Sequence, residues 1–399
     1  MTDVYDFAVI GAGVFGLSSA WQLAKEGHTV AVIDRSPVGT EASGFALGRV
    51  DPPLTDTFTD SLMLKGDAES IAGLDTYTAL ACASYSAHHR LRSEIEGVSG
   101  IDYEFDERLM IELLPDERSR RIFSRDAAQW TAAGVKTELI DPVDFARFDD
   151  RLIAPAFGGA VISGGFFVDS LKLAKALEEC AYASGATFIT AEAIGVRVQP
   201  GNAVVETSTG DVTAARVLVA LGPWTGDFTQ RLGQHVAVYP SKGELLRLVP
   251  PEGPSLKPHL HGEISMVQKR DGLFWVAATA DYAGFDRTPT GKAANHLRNA
   301  VVEVAPWMAD APAAAHTACF RPETPDGLPL AGRLGDMERI WVTSGGFGWG
   351  IMYCLAMGEA VASMMVTDND ETDIRGLRPD RFPPDASAPQ DPRKPGRAL

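Results

Sequence analysis

The sequence predicts an α/β fold with an α+β second domain: a Rossmann-like dinucleotide-binding domain into which an antiparallel-sheet substrate domain is inserted. Three observations predict it. Gly11-Ala12-Gly13-Val14-Phe15-Gly16 is a G-x-G-x-x-G run between an apolar β-rich stretch and one of helical spacing. Strand-like runs joined to helical ones recur between 170 and 220 and again between 340 and 366. Between these lie runs that alternate apolar and polar residues, at 236–249, 264–268 and 272–279, and read as antiparallel strands.

Residues 5–10 form the first β-rich run, 17–25 carry apolar residues at helical spacing, and Gly27 ends that helix. The order strand, tight turn, helix gives each glycine a task. Gly11 permits the turn, Gly13 lets a pyrophosphate approach the backbone, and Gly16 lets the helix pack closely on the strand. The helix N-terminus then faces the phosphates. A second apolar run, 29–33, ends at Asp34, where a carboxylate can accept bonds from a ribose hydroxyl pair. Residues 35–53 read as a loop whose Gly, Ser and Ala let the backbone approach something flat or charged.

Residues 62–96 read as helical, with His88 and His89 lacking an acidic or Cys partner at metal spacing, so no metal site is expected. A pair of strands is expected at 101–114, a polar helix at 118–133, and a helix at 170–184 with Asp169 as N-cap. Strands follow at 192–198, 203–207 and 216–220, the last suited to a buried parallel position. A helix at 297–307 and a short buried strand at 340–343 lead to a second glycine cluster at 345–350 and a helix at 352–366.

With 36 Lys and Arg against 53 Asp and Glu, the formal charge is −17, which opposes nucleic acid and anionic lipid as partners. Any bound anion must find a local site. No 18-residue apolar stretch argues for a membrane span, and the opening MTDVYDF lacks the order of a secretory signal, so a cytoplasmic location is expected. Cys82, Cys180, Cys319 and Cys354 read as buried thiols, with Cys319 set apart below. Residues 383–399, rich in Pro and charge, are expected to be a disordered tail. The expected division is 1–85, 150–228 and 325–382 for the discontinuous nucleotide domain, with 86–149 and 229–324 for the substrate domain.

Further blocks stand in a telling order: VLVALGPWTGDF at 217–228, YPSKGELLRL at 239–248, CFRPETPDGLPLAG at 319–332, SGGFGWGIMYCLAMGEAVA at 344–362 and RPDRF at 378–382. With the opening motif they resemble the D-amino acid oxidase (DAO) family of flavoproteins, in the branch that contains glycine oxidase and monomeric sarcosine oxidase, over nearly the whole chain. The block at 319–332 is the most specific, being similar to the family's R-P-x-T-x-D-G-x-P-x-I-G. The resemblance implies FAD, bound in extended form with its ring at the domain interface. It implies Val14 and Phe15 at the pyrophosphate, within the cofactor-binding motif of Gly11, Gly13 and Gly16, and Asp34 and Arg35 at the adenosine ribose. Ala42, Ser43, Ala46, Leu47, Gly48 and Arg49 would lie along the pyrophosphate and flavin, Ala193 near the adenine, and Gly222 and Trp224 beside the flavin. Gly346, Phe347, Gly348, Trp349, Gly350, Ile351 and Met352 would follow the ring's pyrimidine edge.

The implied activity is oxidation of an amino acid or secondary amine bearing a carboxylate. A hydride passes from the carbon beside the nitrogen to flavin N5, the resulting imine hydrolyses, and electrons go on to O2 or another acceptor. No catalytic residue is expected, because the flavin performs the transfer. Arg321 matches the family arginine that grips the substrate carboxylate, a task suited to a planar fork of donors. Arg49 departs from the glycine oxidase pattern; it either adds a second positive group for a diacid or neutralises nearby acidic residues. Met352 occupies the place of the carboxylate-holding lysine of sarcosine oxidases and argues against that activity. Ser265 and His259, with His261, fall in the stretch that forms the substrate wall in relatives, a surface loop being the competing reading for the histidines. Cys319 aligns with the covalent flavin attachment point of sarcosine oxidases, while its surroundings follow the non-covalent glycine oxidase pattern, so both a flavin link and an inert thiol stay open. Trp275 stands near the column of the lysine associated with oxygen activation. The expected partners are a small-molecule substrate and an electron acceptor. Two other readings share the scaffold: a 2-hydroxy acid dehydrogenase and a non-catalytic flavin-binding protein.

Overall fold

The computed structural model describes residues 4–53, 74–132, 134–277, 279–369, 375–383 and 386. The chain begins with β1 (Val4–Ile10), α1 (Val14–Lys25), β2 (Val30–Asp34), α2 (Ala42–Phe45), β3 (Arg49–Val50) and α3 (Leu74–Ser99). It continues with β4 (Asp106–Glu107), β5 (Met110–Leu113), α4 (Glu117–Ala132), β6 (Thr137–Ile140), β7 (Gly159–Ile162), β8 (Phe166–Phe167) and α5 (Ser170–Ala183). Next come β9 (Thr187–Thr190), β10 (Ala193–Gln199), β11 (Asn202–Thr207), β12 (Val212–Val219), α6 (Thr225–Arg231), β13 (Tyr239–Leu248) and β14 (His259–His261). The last stretch holds β15 (Ser265–Gln268), β16 (Phe274–Ala277), α7 (Gly291–Val304), β17 (Ala313–Glu323), β18 (Leu330–Arg333), β19 (Ile340–Ser344) and α8 (Gly350–Thr367).

β1 stands near the middle of the first sheet, parallel to β2 on one side and β12 on the other. Its Phe7–Ile10 half is apolar on both faces, and both are covered: α1, α5 and α8 pack on one, and a cluster including Phe228 and Val236 on the other. β12 forks. Its first half pairs antiparallel with β11, and its second half runs parallel to β19, which brings the late chain back beside β1. The nucleotide sheet is therefore complete only when residues 340–344 have joined it.

The second sheet runs β17-β13-β16-β15-β14-β5-β7-β6, antiparallel except where β14 lies parallel to β5. Its core is Leu246, Leu260, Phe274 and Val276 with Leu297 and Val301 of α7 against them. Its other face carries Gly243, Leu245, Cys319 and Arg321 toward the first domain. A small third sheet, β3-β8-β4, links the two.

Several expectations change. The boundary at 85/86 falls inside the single helix α3, and β7, within 150–228, pairs with β5 and β6 of the second sheet, so neither boundary follows the sheets. The stretch read as loop at 35–53 holds α2 and β3. α7 starts earlier than its apolar spacing because Thr290 caps it, its Oγ accepting from the Ala293 N–H at 3.2 Å; Pro306 stops it. Cys82 is exposed, whereas Cys180 and Cys354 are buried. α8 is long and apolar enough to cross a membrane, contrary to expectation, but 67% of it is buried inside the fold, where it packs on α1 and α3 as a core helix. The helical reading of 62–73 lies outside the described residues, as does the tail expected at 383–399 apart from Pro383 and Ala386. The Ala386 carbonyl accepts from the Tyr239 hydroxyl.

Candidate active site

One cleft runs between the two sheets, from Asp34 and Ala193 past Gly11 to Phe15 and residues 42–49, to Arg321 and residues 346–351. At its first end the backbone makes the surface. Gly11 has φ +111°, and a Cβ there would stand 2.4 Å from the Ala220 carbonyl oxygen. At Gly16 a Cβ would meet the Gly11 oxygen at 2.0 Å, so this glycine serves helix packing and does not line the cleft. Asp34 accepts from the Ala12 N–H at 2.7 Å and the Ser36 N–H at 2.8 Å, which fixes its carboxylate at the end of β2. Ser43 of α2 accepts from the Val14 N–H at 3.1 Å. The Arg35 guanidinium lies 5.1 Å from the Trp224 ring centroid, closing the wall there.

The late glycine turn meets the early one. A Cβ on Gly346 would stand 2.9 Å from Gly350 Cα and 3.1 Å from the Phe15 ring. Phe347 adopts φ +37°, a left-handed conformation that costs a side-chain-bearing residue energy, and its N–H donates to the Pro322 carbonyl at 2.9 Å. That bond ties the turn to the end of β17. The N-termini of α1 and α8 both open on the cleft, where they favour negative charge. Glycines that no larger residue can replace, a carboxylate at a strand end and two helix N-termini fit an extended dinucleotide with a flat ring.

At the other end side chains make the surface. Arg321 on β17 faces Ser241 across the β13 pairing, and its guanidinium crosses over Gly243, where a Cβ would lie 2.4 Å from it. One Nη donates to the Thr279 carbonyl at 2.9 Å, and among the described residues no carboxylate comes within ion-pair distance of it. Burial lowers its pKa from the ordinary value, opposed by Cys319 and Glu323, and a guanidinium stays charged at neutral pH. Cys319, two residues earlier, lines the same face. Burial pushes its thiol up from the ordinary value, so it stays protonated at neutral pH.

Arg49 also lines the cleft, but its Nε donates to Asp51 at 2.6 Å, so of its two readings the neutralising one matches this geometry. Ser265 lines the cleft, and behind it His259 is fully buried with Nε2 2.5 Å from the Ser265 oxygen. Burial, with the Arg49 and His261 charges, pulls the His259 pKa well below its ordinary value, so it is a neutral wall support and not a surface loop. His261 reaches the cleft and meets Glu112 of β5 at 2.7 Å. Met352 turns into the core at 2% exposure and does not line the cleft. Trp275 is buried away from it, with the Arg247 guanidinium 3.9 Å from its ring centroid.

Of the expected residues, then, Gly16, Met352, His259 and Trp275 are absent from the lining. Sequence reasoning missed Glu112, Asp51 and Gly243. Gly243 carried a signal, a glycine interrupting the alternation of β13; the two carboxylates carried none, because their partners come from elsewhere in the fold.

The FAD dependent oxidoreductase (DAO) family model matches residues 6–364. A glycine oxidase of Geobacillus kaustophilus is 27% identical over 369 residues, covering 92% of this chain and 94% of the relative. A D-amino acid dehydrogenase of Agrobacterium fabrum is 26% identical over 425 residues, covering 94% of this chain and 99% of the relative. The crystal structure of glycine oxidase from Geobacillus kaustophilus superposes with a TM-score of 0.84 at 25% identity, over 96% of this chain and all of that one (100%).

Proposed function

This chain belongs to the DAO family of FAD-dependent oxidoreductases, and from that membership we propose that it oxidises the carbon–nitrogen bond of an amino acid or secondary amine carrying a carboxylate. FAD is the cofactor, and when bound it supplies the two-electron acceptor at the ring end of the cleft. Gly11, Gly13, Val14 and Phe15 would hold its pyrophosphate, Asp34 and Arg35 its ribose, and Gly346 to Ile351 the edge of its ring. The N-terminus of α8 there favours the negative charge that reduction brings.

The observation that carries the substrate reading is Arg321: a cleft-facing guanidinium with one donor spent on Thr279 and no counter-carboxylate among the described residues. Its planar fork suits a substrate carboxylate, and gripping it there orients the neighbouring carbon without any nucleophile from the protein. Because Cys319 stays protonated, we take the cofactor to be held without a covalent link. The four free thiols suit the reducing cytoplasm, where we place the enzyme. Relatives named as an oxidase and as a dehydrogenase leave O2 and another carrier equally open as electron acceptor.

Anaerobic titration of the yellow protein with amino, N-methyl amino and hydroxy acids tests this. Loss of the flavin absorbance with amino or N-methyl amino acids is expected; loss with hydroxy acids alone would overturn the amine reading. Arg321→Ala should keep FAD and weaken substrate binding at least tenfold, about 1.4 kcal/mol. Acid precipitation should leave the colour in the supernatant.

A further inference from the structure

Glu112 and Asp51 are buried carboxylates at the substrate end that the amine reading does not use. Asp51 is matched by Arg49. Glu112 has both oxygens on His261 Nδ1, at 2.7 and 2.9 Å, across directly paired positions of β5 and β14. Burial would raise the Glu112 pKa, but the His261 and Arg49 charges and the His261 hydrogen bond outweigh it and hold the carboxyl below its ordinary value. An ionised carboxylate only accepts, so Nδ1 carries a hydrogen in either state of the ring, and in the neutral state Nε2 is the bare nitrogen. His261 lines the cleft, and 27% of its side chain is exposed.

Glu112 from β5 meets this ring directly, and His259 from its own strand lies 5.9 Å away between ring centroids. Arg49 of β3, paired to Asp51, and Glu263, which meets His296 of α7 at 3.7 Å, line the same cleft. Glu112, Asp51 and Arg49 sum to one negative charge on this wall, with the Arg108 and Lys269 charges reaching His259 behind it. Arg321 stands in the same cleft as an unmatched positive charge. A cleft polarised this way suits an amino-acid zwitterion, carboxylate on Arg321 and ammonium toward His261. An ammonium cannot lose a hydride from the neighbouring carbon, because the nitrogen lone pair that would form the C=N bond is occupied by a proton.

We infer that His261, its Nδ1–H anchored on Glu112, is the base that takes the ammonium proton of the bound amino acid. This rests on the amine-oxidation reading. One N–H bond of the ammonium breaks and one Nε2–H bond forms; no electrons change owner. The substrate is left as the free amine, the imidazolium is stabilised by Glu112, and the proton passes to solvent from the exposed edge of the ring. Glu112 is a positioning residue: it fixes the tautomer and raises the basicity of Nε2.

The test is the pH profile of kcat/KM, from pH 6 to 10, of the FAD-loaded enzyme with an amino acid that it oxidises. His261→Asn should lose about 100-fold at pH 7.5 and then climb tenfold per pH unit toward the pKa of the substrate's own amine, because only free amine is then used. Added imidazole should restore part of the rate at pH 7.5. Its affinity for acetate, read from the flavin spectrum, should be unchanged, since Arg321 is intact. Glu112→Gln should move the ascending limb to lower pH, because the imidazolium loses its counter-charge. A His261→Asn profile parallel to wild type, at whatever height, overturns the inference. If that variant holds no flavin, Glu112→Gln decides alone, and an unmoved limb overturns it. A wild type that oxidises amines beside variants with parallel profiles defeats only this inference, whereas a wild type that oxidises no amine defeats the amine reading and this one together.

Discussion

The two ends of the cleft are made of different material. The nucleotide end is largely backbone: Gly11, Gly13 and Gly346 and two helix N-termini, with Asp34 fixed at the end of β2 and Glu41 and Glu192 also on the lining. The substrate end is side chains, with Arg321 from β17, His261 from β14 backed by Glu112 from β5, and Arg49 from β3 backed by Asp51. Backbone surfaces recognise what every member of a cofactor class shares, a pyrophosphate and a ring, and at Gly11 and Gly346 they leave no room for an added atom. Side-chain surfaces recognise charge at chosen points, and each charge must be balanced by a partner that never touches the ligand. The first kind is set by shape, the second by pairs.

The same chemical change at each end puts this contrast to the test. Gly11→Ala forces a methyl against the Ala220 carbonyl and holds a side-chain residue at φ +111°; a loss of about 3 kcal/mol or more is expected, with little or no flavin retained. Melting temperature and flavin absorbance per protein report it, and a yellow, normally stable variant would break the comparison.

Next in size is an effect common to both ends. His88 of α3 is fully buried and bonds the Ile351 and Met352 carbonyls in the first turn of α8, the helix whose N-terminus opens on the cleft. Burial pulls its pKa from 6.5 to about 4. The unfolded chain therefore binds the extra proton between those values, and stability falls as pH drops through that window, by up to about 3 kcal/mol. His88→Gln should show a flatter acid limb; an identical pH dependence of unfolding in both proteins would remove His88 as its cause.

Asp34→Ala removes acceptors from two backbone N–H groups, for about 2 kcal/mol, read as weaker FAD binding with an unaltered KM for the amine. The smallest effect belongs to Gly243→Ala. The atoms nearest its methyl belong to the movable end of Arg321, so the fold and flavin should survive while KM rises about tenfold. Loss of flavin in this variant, or an unchanged KM, would show that the two ends are not separable as described.

Legibility in the sequence divides along the same line. The turn at 11–16, Asp34, the block around Arg321 and the glycine cluster at 345–350 are contiguous, and a local spacing is enough to find them. Glu112 and His261 are 149 positions apart, and only the β5–β14 pairing brings them together. Met352 shows the limit of position by resemblance alone: one residue further along α8 than Ile351, it is rotated by about 100° and points into the core. His259 and Ser265 lie in the right stretch, but which of them reaches the cleft depends on how the β14–β15 hairpin buries its first residue. The expected division at 85/86 and the placing of β7 show a related limit, since α3 and β7 carry no mark in the sequence of what they pack or pair with.

The position of β19 beside β12 has a consequence for synthesis on the ribosome. A nascent chain exposes its pyrophosphate turn almost at once, at residues 11–16, yet the facing turn at 345–350 emerges only when most of the 399 residues have been translated. Until then β12 lacks the neighbour that carries this turn into place, so cofactor capture must be a late event that follows translation of most of the polypeptide. A ribosome that stalls before this point releases a chain that holds the 11–16 turn without the 345–350 turn that faces it across the cleft.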